Sequence, residues 1–234
     1  ASTPTTVNGY EPETIDSFEV GFKGAFLDRT LFTNVALFKS KYKNQQVTVQ
    51  VPSLAGGIAS FVDNAGRGDI WGAELELRAV PSPNFSMNAA VGYTNADYKE
   101  FLTFITGGTT PVDVANAREF QNTPRFTASA SATASGDLLG GTISFTPAVS
   151  LRCDAYMFEI PTPALDPDGY FLVDASAAWT SPDDKFKLSV NLRNLTNERY
   201  RVGGYNFPGA LFGNSIIGYY GPPRTATFNI EYRF

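Results

Sequence analysis

The sequence predicts an all-β fold: about nine meandering antiparallel strands forming a segment of a larger transmembrane β-barrel. Three observations carry that reading. First, the chain ends in a strictly alternating run, with Ala226, Phe228, Ile230, Tyr232 and Phe234 on one face and Thr225, Thr227, Asn229, Glu231 and Arg233 on the other. Strand side chains point alternately to opposite faces, so one face of this segment requires an apolar medium and the other water or a polar partner. Second, the 234 residues are 18% charged, below the usual ~25%, and 14% aromatic. No stretch approaches the roughly 20 consecutive apolar residues of a spanning helix, whereas barrel strands hide their lipid face by alternation. Third, connections near residues 28, 82, 138 and 182 are short, and those near 59, 110, 162 and 210 are long. Spanning barrels sort their connections in this way, with tight periplasmic turns and long outer loops.

Residues 1 to 13 show no periodicity. The first strand is expected over Ile15 to Phe26, with Phe18, Val20, Phe22 and Phe26 on one face and Glu19 and Lys23 on the other. Asp28-Arg29 makes a tight turn, and pairing Phe26 with Leu31 sets a second strand that points Phe32 and Phe38 inward. A Gly-rich loop from Pro52 to Gly66 leads to a third strand, where Trp71, Ala73, Leu75 and Leu77 oppose Glu74, Glu76 and Arg78. Pro81 to Asn84 turns the chain into a fourth strand carrying Phe85, Met87, Ala89, Val91 and Tyr93, and Lys99 to Gln121 lacks alternation. A fifth strand, Arg125 to Ala134, has small residues on both faces, which periodicity does not explain. Gly136 to Gly141 turns it into a sixth, marked by Ile143, Phe145, Val149 and Leu151. After a loop from Met157 to Asp168, strands seven and eight place Phe171 to Trp179 and Phe186 to Leu192 around the Ser181 to Asp184 turn. A loop over 202–218 then reaches the closing strand.

The chemistry these residues exclude is broad. There is no histidine, which removes imidazole acid/base work, Ser-His pairs and His metal sites. A single Cys153 rules out thiolate clusters and internal disulfides. Net charge is −5 with no Lys/Arg run, which argues against a nucleic-acid partner. The pairs Asp183-Asp184 and Glu11/Glu13 sit in turn or loop sequence, where solvated charge is the ordinary role. Asp166-Pro167-Asp168-Gly169 lacks the alternating carboxylates of a calcium loop. No catalytic residue, metal site or cofactor is expected, and an outer-membrane enzyme is disfavoured by the missing histidine.

Four segments bear a family resemblance. Glu11-Pro12-Glu13 followed by Phe18-Glu19-Val20-Gly21-Phe22-Lys23 resembles the opening of a mid-barrel strand in TonB-dependent outer-membrane receptors. Asn122-Thr123-Pro124-Arg125 is similar to their strand-opening Pro-Arg element. The run Asn191 to Tyr200 is similar to their penultimate-strand signature, and Gly221-Pro222-Pro223-Arg224 with the run to Phe234 resembles their closing strand. Phe18 stands where the family more often has Tyr, and Phe126 where His is common. The resemblance implies the C-terminal part of a 22-stranded plugged barrel, without the plug domain and TonB box, in the outer membrane of a Gram-negative bacterium. Nine strands also leave the parity odd, whereas closed single-chain bacterial barrels have even numbers.

The implied activity is TonB-driven uptake of a scarce bulky nutrient, a ferric siderophore above all, with this chain supplying wall and outer loops. Implied partners are the bilayer, the TonB complex through the missing N-terminal part, and the barrel-assembly machinery. Candidate ligand contacts at the mouth are Arg118, Tyr156, Arg201, Tyr205, Phe207, Tyr219 and Tyr220, since rings with a few cations suit an anionic, ring-bearing ligand. The competing role for the tyrosines is an interfacial girdle. Phe228, Ile230, Tyr232 and Phe234 form the edge that resembles the family's assembly signal. The alternative is a complete small barrel serving as anchor or passive pore, which needs an even strand count.

Overall fold

A computed structural model describes residues 10–52, 58–103, 110–207 and 213–234. The strands are β1 (Thr14–Phe26), β2 (Leu31–Pro52), β3 (Ile58–Ser82), β4 (Phe85–Thr103), β5 (Val112–Asp113), β6 (Phe126–Leu138), β7 (Gly141–Arg152), β8 (Tyr170–Thr180), β9 (Phe186–Arg193), β10 (Arg201–Phe207), β11 (Ser215–Tyr220) and β12 (Thr225–Tyr232). The main sheet is an antiparallel meander in the order β1-β2-β3-β4-β6-β7-β8-β9-β12, with β5 appended to β4 and a separate β10-β11 hairpin. Nine strands thus run up and down in chain order, as the alternation predicts. Among the described residues β1 bonds only to β2 and β12 only to β9, so the sheet does not close on itself. A free-standing pore requires closure, because unpaired backbone groups facing lipid cost several kcal/mol each.

Register follows the alternation. Phe26 pairs with Leu31 and Phe18 with Lys39, as the tight turn at Asp28-Arg29 requires. Leu27, Asp28 and Arg29 all take positive φ there. One face of the sheet is polar and concave: Lys23, Asn34, Glu76, Ala90, Ser129 and Ser150 form a continuous row across β1 to β7 and line a cavity of about 900 Å³. The Asn34 amide donates to Glu76 at 3.1 Å within it. Phe32 lines the same cavity, and Phe38 occupies the space a side chain on Gly72 would need. Both rings therefore point inward, and Gly72 is small so that one can. The opposite face is apolar and exposed, with Phe18, Val20, Phe22, Phe228 and Ile230 all more than half exposed, which in water would be untenable over such an area. Its medium is lipid.

Aromatic pairs mark both rims of the apolar band. Trp71 meets Tyr93 at 5.4 Å toward the long connections, and Phe186 meets Tyr232 at 4.7 Å beside a short turn. The Trp179 indole donates to the Leu138 carbonyl at 2.9 Å on the short-turn rim.

The structure corrects four boundaries. β2 ends at Pro52, where the expected Pro52–Gly66 loop begins, but β3 already starts at Ile58, so 58–66 are strand and the tip, 53–57, lies outside the described residues. Lateral pairing with β2 sustains 58–66 as strand where the sequence shows no sustained alternation. β4 continues to Thr103 rather than ending near Lys99, and β6 to Leu138 rather than Ala134. The 202–218 stretch is not a plain loop, because β10 and β11 pair within it. At the C-terminus, ladder pairing ends at Tyr232 with Phe186, and Phe234 meets Tyr232 edge to face at 5.0 Å beyond the last paired residue.

Candidate functional site

The long connections gather at one end of the sheet, and hydrogen bonds tie three of them together. At the first, a bulge in β4 puts Tyr98 opposite Gly68 and Phe101 opposite Gly66, so two rings three residues apart share the inner face. Tyr98 is 8% exposed and Phe101 4%. The segment after β5 folds inward over them: Phe120 stacks on Tyr98 at 4.2 Å, where Gly68 leaves room for its ring, and Arg118 lies 5.3 Å above Phe101. Burial pushes the neighbouring Glu119 carboxyl above its ordinary range.

This segment is joined to the next. The Glu119 amide donates to Glu159 O at 2.9 Å, the Asn122 amide to Tyr156 O at 2.8 Å, and the Gln121 side chain to the Glu159 carboxylate at 2.6 Å. Asp166 organises the second segment by accepting from the Met157 and Thr162 amides at 3.0 and 2.8 Å. Leu165, 1% exposed, then packs against Gly204 and Gly218 of the β10-β11 hairpin.

The hairpin rests on the family-like signature, whose residues have structural work. Asn194, 3% exposed with φ 51°, donates its side-chain amide to Glu198 O at 2.8 Å and Pro222 O at 3.1 Å and accepts from the Glu198 amide at 2.7 Å. Its own backbone amide donates to Asp174 at 2.8 Å. Asn197 accepts from the Arg224 amide at 3.0 Å. Gly221 donates to Tyr200 O at 2.9 Å, and a side chain at Gly221 would run into the Tyr200 ring. The Asn191–Tyr200 run and the Gly221–Arg224 run therefore clamp the end of β9 to the start of β12.

Above this clamp lies a cleft of about 300 Å³ lined by Asp168, Tyr170, Arg199, Tyr200, Arg201 and Tyr220, with Gly169 and Glu198. Arg199 sits 4.3 Å over the Tyr220 ring, and Tyr170 meets Tyr200 at 4.4 Å. Arg201, 18% exposed at its side chain, donates to Asp168 at 3.0 Å and to Ala164 O. Partial burial pushes the Tyr200 hydroxyl above its ordinary value. The Asp168 side chain is 94% exposed, and an ion pair open to water on one side is worth at most about 1 kcal/mol. The cleft thus holds two guanidinium groups flanked by tyrosine faces, together with the Asp168 and Glu198 carboxylates.

The structure thus sorts the predicted contacts into separate groups. Arg201 and Tyr220 share the cleft. Tyr205, Phe207 and Tyr219 cluster on the hairpin face opposite Leu165, with Tyr205 5.8 Å from Phe207 and 5.9 Å from Tyr219. Arg118 lies over Phe101 and Tyr156 flanks the Gln121 bridge, both apart from the cleft. Sequence reasoning missed Arg199, Tyr170 and Tyr200. The available signal was the Arg199-Tyr200-Arg201 triplet, two cations around a ring at the end of a strand signature.

Comparison with known proteins accords with this architecture. The family model described as TonB dependent receptor-like, beta-barrel, matches residues 1–195. The ferric-pyoverdine 358 receptor of Pseudomonas putida is 26% identical over 230 residues, covering 96% of this chain and 24% of the relative. The probable TonB-dependent siderophore receptor PiuA of Acinetobacter baumannii is 23% identical over 201 residues, covering 83% and 24%. The chain spans about a quarter of the length of these curated relatives. In fold, the solved PiuA siderophore receptor matches with TM-score 0.74 at 20% identity over 99% of this chain and 30% of that one. The ferric yersiniabactin uptake receptor FyuA of Yersinia pestis matches with TM-score 0.70 at 22% identity over 95% and 30%. The chain belongs to the TonB-dependent receptor β-barrel family.

Proposed function

We propose that this chain is the C-terminal barrel portion of an outer-membrane receptor for ferric siderophores in a Gram-negative bacterium, with plug and TonB box carried elsewhere in the longer protein. Uptake is driven through TonB and involves no catalysis. The chain contributes barrel wall and outer ligand-contacting loops, and the barrel-assembly machinery inserts it. Family membership supports the reading most directly, and the relatives named as siderophore receptors support the ligand class.

Within this reading the Arg199/Arg201/Tyr220 cleft contacts the anionic, ring-bearing part of the ligand, since two cations beside aromatic faces attract both features. Tyr205, Phe207 and Tyr219 supply a second aromatic surface on the other face of the hairpin, and Arg118 and Tyr156 border the inner loops. The test uses the full-length receptor in iron-starved cells and a panel of iron-55-loaded siderophores of the pyoverdine and catecholate classes. Deleting the receptor abolishes uptake of at least one panel member. Arg199→Ala/Arg201→Ala weakens its binding by about tenfold or more, the scale of one charge-assisted contact. Unchanged uptake of every member in the deletion strain overturns the proposal.

A further inference from the structure

The outward face of β1 to β4 carries a lysine ladder that the transport reading leaves unused. Lys39, Lys41 and Lys43 alternate along β2 and point away from the cavity, on the side of Phe18 and Trp71. Lys39 stands in the row Phe18, Lys39, Trp71, Asn95, level with the Trp71–Tyr93 pair at the long-loop rim. Lys41 is one step farther out, between Asp16 and Asp69, and Lys43 follows opposite Thr14. Arg67 and Lys99 add exposed cations on β3 and β4.

Carboxylates face this patch too: Asp16, Asp69, Asp97 and Glu100. Lys43 holds Asp16 at 2.7 Å, and Lys99 lies 3.9 Å from Asp97, which also accepts from the Asn95 side chain at 2.7 Å. Glu100 is opposite Arg67 in the register, and Arg67 also acts on the charge of Asp113. Among the described residues, neither Lys39 nor Lys41 has a carboxylate oxygen within 4.0 Å. The lowest lysine therefore sits at the edge of the apolar band with rings on both sides and no acid in its row.

A lysine so placed lays its stem on apolar surface and holds its ammonium in the headgroup layer. From Lys39 to Lys43 the strand rises about 13 Å along its axis, enough to cross the roughly 5–8 Å that headgroups add to each leaflet. We propose that Lys39 and Lys41 form a docking site for the phosphate-bearing headgroup of an outer-leaflet lipid, whose acyl chains lie along Phe18 and Trp71. The proposal rests on the long-loop end being the outer end. A single cysteine at Tyr205 on that end, tested with impermeant maleimide on intact cells, reports on that assumption separately.

The binding test titrates the full-length, detergent-purified receptor with bisphosphorylated lipid A, read by native mass spectrometry. Lys39→Gln/Lys41→Gln lowers affinity by about tenfold, while Lys39→Arg/Lys41→Arg and a distant Lys187→Gln stay within about twofold of the parent. The same lipid without phosphates binds parent and Gln variant alike, and millimolar inorganic phosphate does not displace the phosphorylated lipid. Equal affinity of parent and Gln variant for lipid A overturns the proposal. So does an equal loss with the phosphate-free lipid, a matching loss in the Arg variant, or displacement by inorganic phosphate.

Discussion

Leu165 reaches the β10-β11 hairpin at Gly204, its Cδ2 lying 2.6 Å from where a Cβ on that glycine would stand. The same Cβ would lie 2.6 Å from the Ile217 carbonyl oxygen. A backbone atom on one side and a buried side chain on the other leave no room, so the hairpin docks on the 157–168 segment only because residue 204 is glycine. Gly204→Ala is expected to lift the hairpin from this segment and open both to protease on intact cells. Heat-modifiable mobility should stay normal, because the change lies beyond the main sheet. Unaltered cleavage of the outer loops would show that the contact does not hold them together.

Leu75 lies on the apolar face midway between Trp71 and Ala79, paired with Val35 and Val91. Its neighbour Glu74 faces the polar side. Leu75→Arg, made in the full-length receptor, is expected to cost about 2–4 kcal/mol, the depth-dependent cost of a cation facing the bilayer midplane. Glu74→Gln should cost far less. Unfolding in urea from lipid vesicles compares them, and equal losses would place the two faces wrongly.

The carboxylate of Asp113 accepts the Phe101 amide at 2.9 Å and the Ala115 amide at 3.0 Å, and these two bonds hold it below the ordinary carboxylate range. A depressed pKa means the contribution is complete above the unfolded value and is lost as pH falls through the folded one. Hydrogen exchange at the Phe101 and Ala115 amides, corrected for intrinsic rates, should therefore be protected at pH 6 and lose protection at pH values below the usual carboxylate range. Asp113→Ala should show the unprotected rates at both. A pH-independent parent would remove Asp113 from this role.

Phe234 is fully exposed and meets Tyr232 edge to face, whereas Arg233 pairs with Glu231 at 2.7 Å and its amide donates to Lys185 O at 2.9 Å. A charge near the interface costs only about 0–1 kcal/mol, so Phe234→Asp barely affects a residue that merely borders lipid. If Phe228, Ile230, Tyr232 and Phe234 are read during assembly, as we propose, Phe234→Asp sharply lowers the amount of assembled full-length receptor. Arg233→Ala leaves it nearly unchanged. Equal heat-modifiable band intensity for the two variants would leave Phe234 as an interfacial ring alone.

Strand order, register and the lipid face were legible in the sequence because each rests on local rules. The tight turn at Asp28-Arg29 sets the pairing of Phe26 with Leu31, and period-two alternation then assigns the side chains of Phe18 to Leu37, and of Trp71 to Leu77 across the next pairing, to a face. Tertiary structure alone decided the outer layer. No local pattern tells that Phe120 folds back onto Tyr98 or that Leu165 fills the hollow at Gly204, because those contacts join segments far apart in sequence whose own backbones are irregular. The start of β3 was hidden for a related reason: lateral hydrogen bonding to β2 holds Ile58 to Gly66 as strand, although the run Ile58-Ala59-Ser60-Phe61-Val62-Asp63-Asn64 carries no sustained alternation in the sequence. The cleft around Arg199 and Arg201 needed both kinds of information, since the sequence supplied the cations and rings while the clamp of Asn194 on Pro222 brought Tyr220 over them.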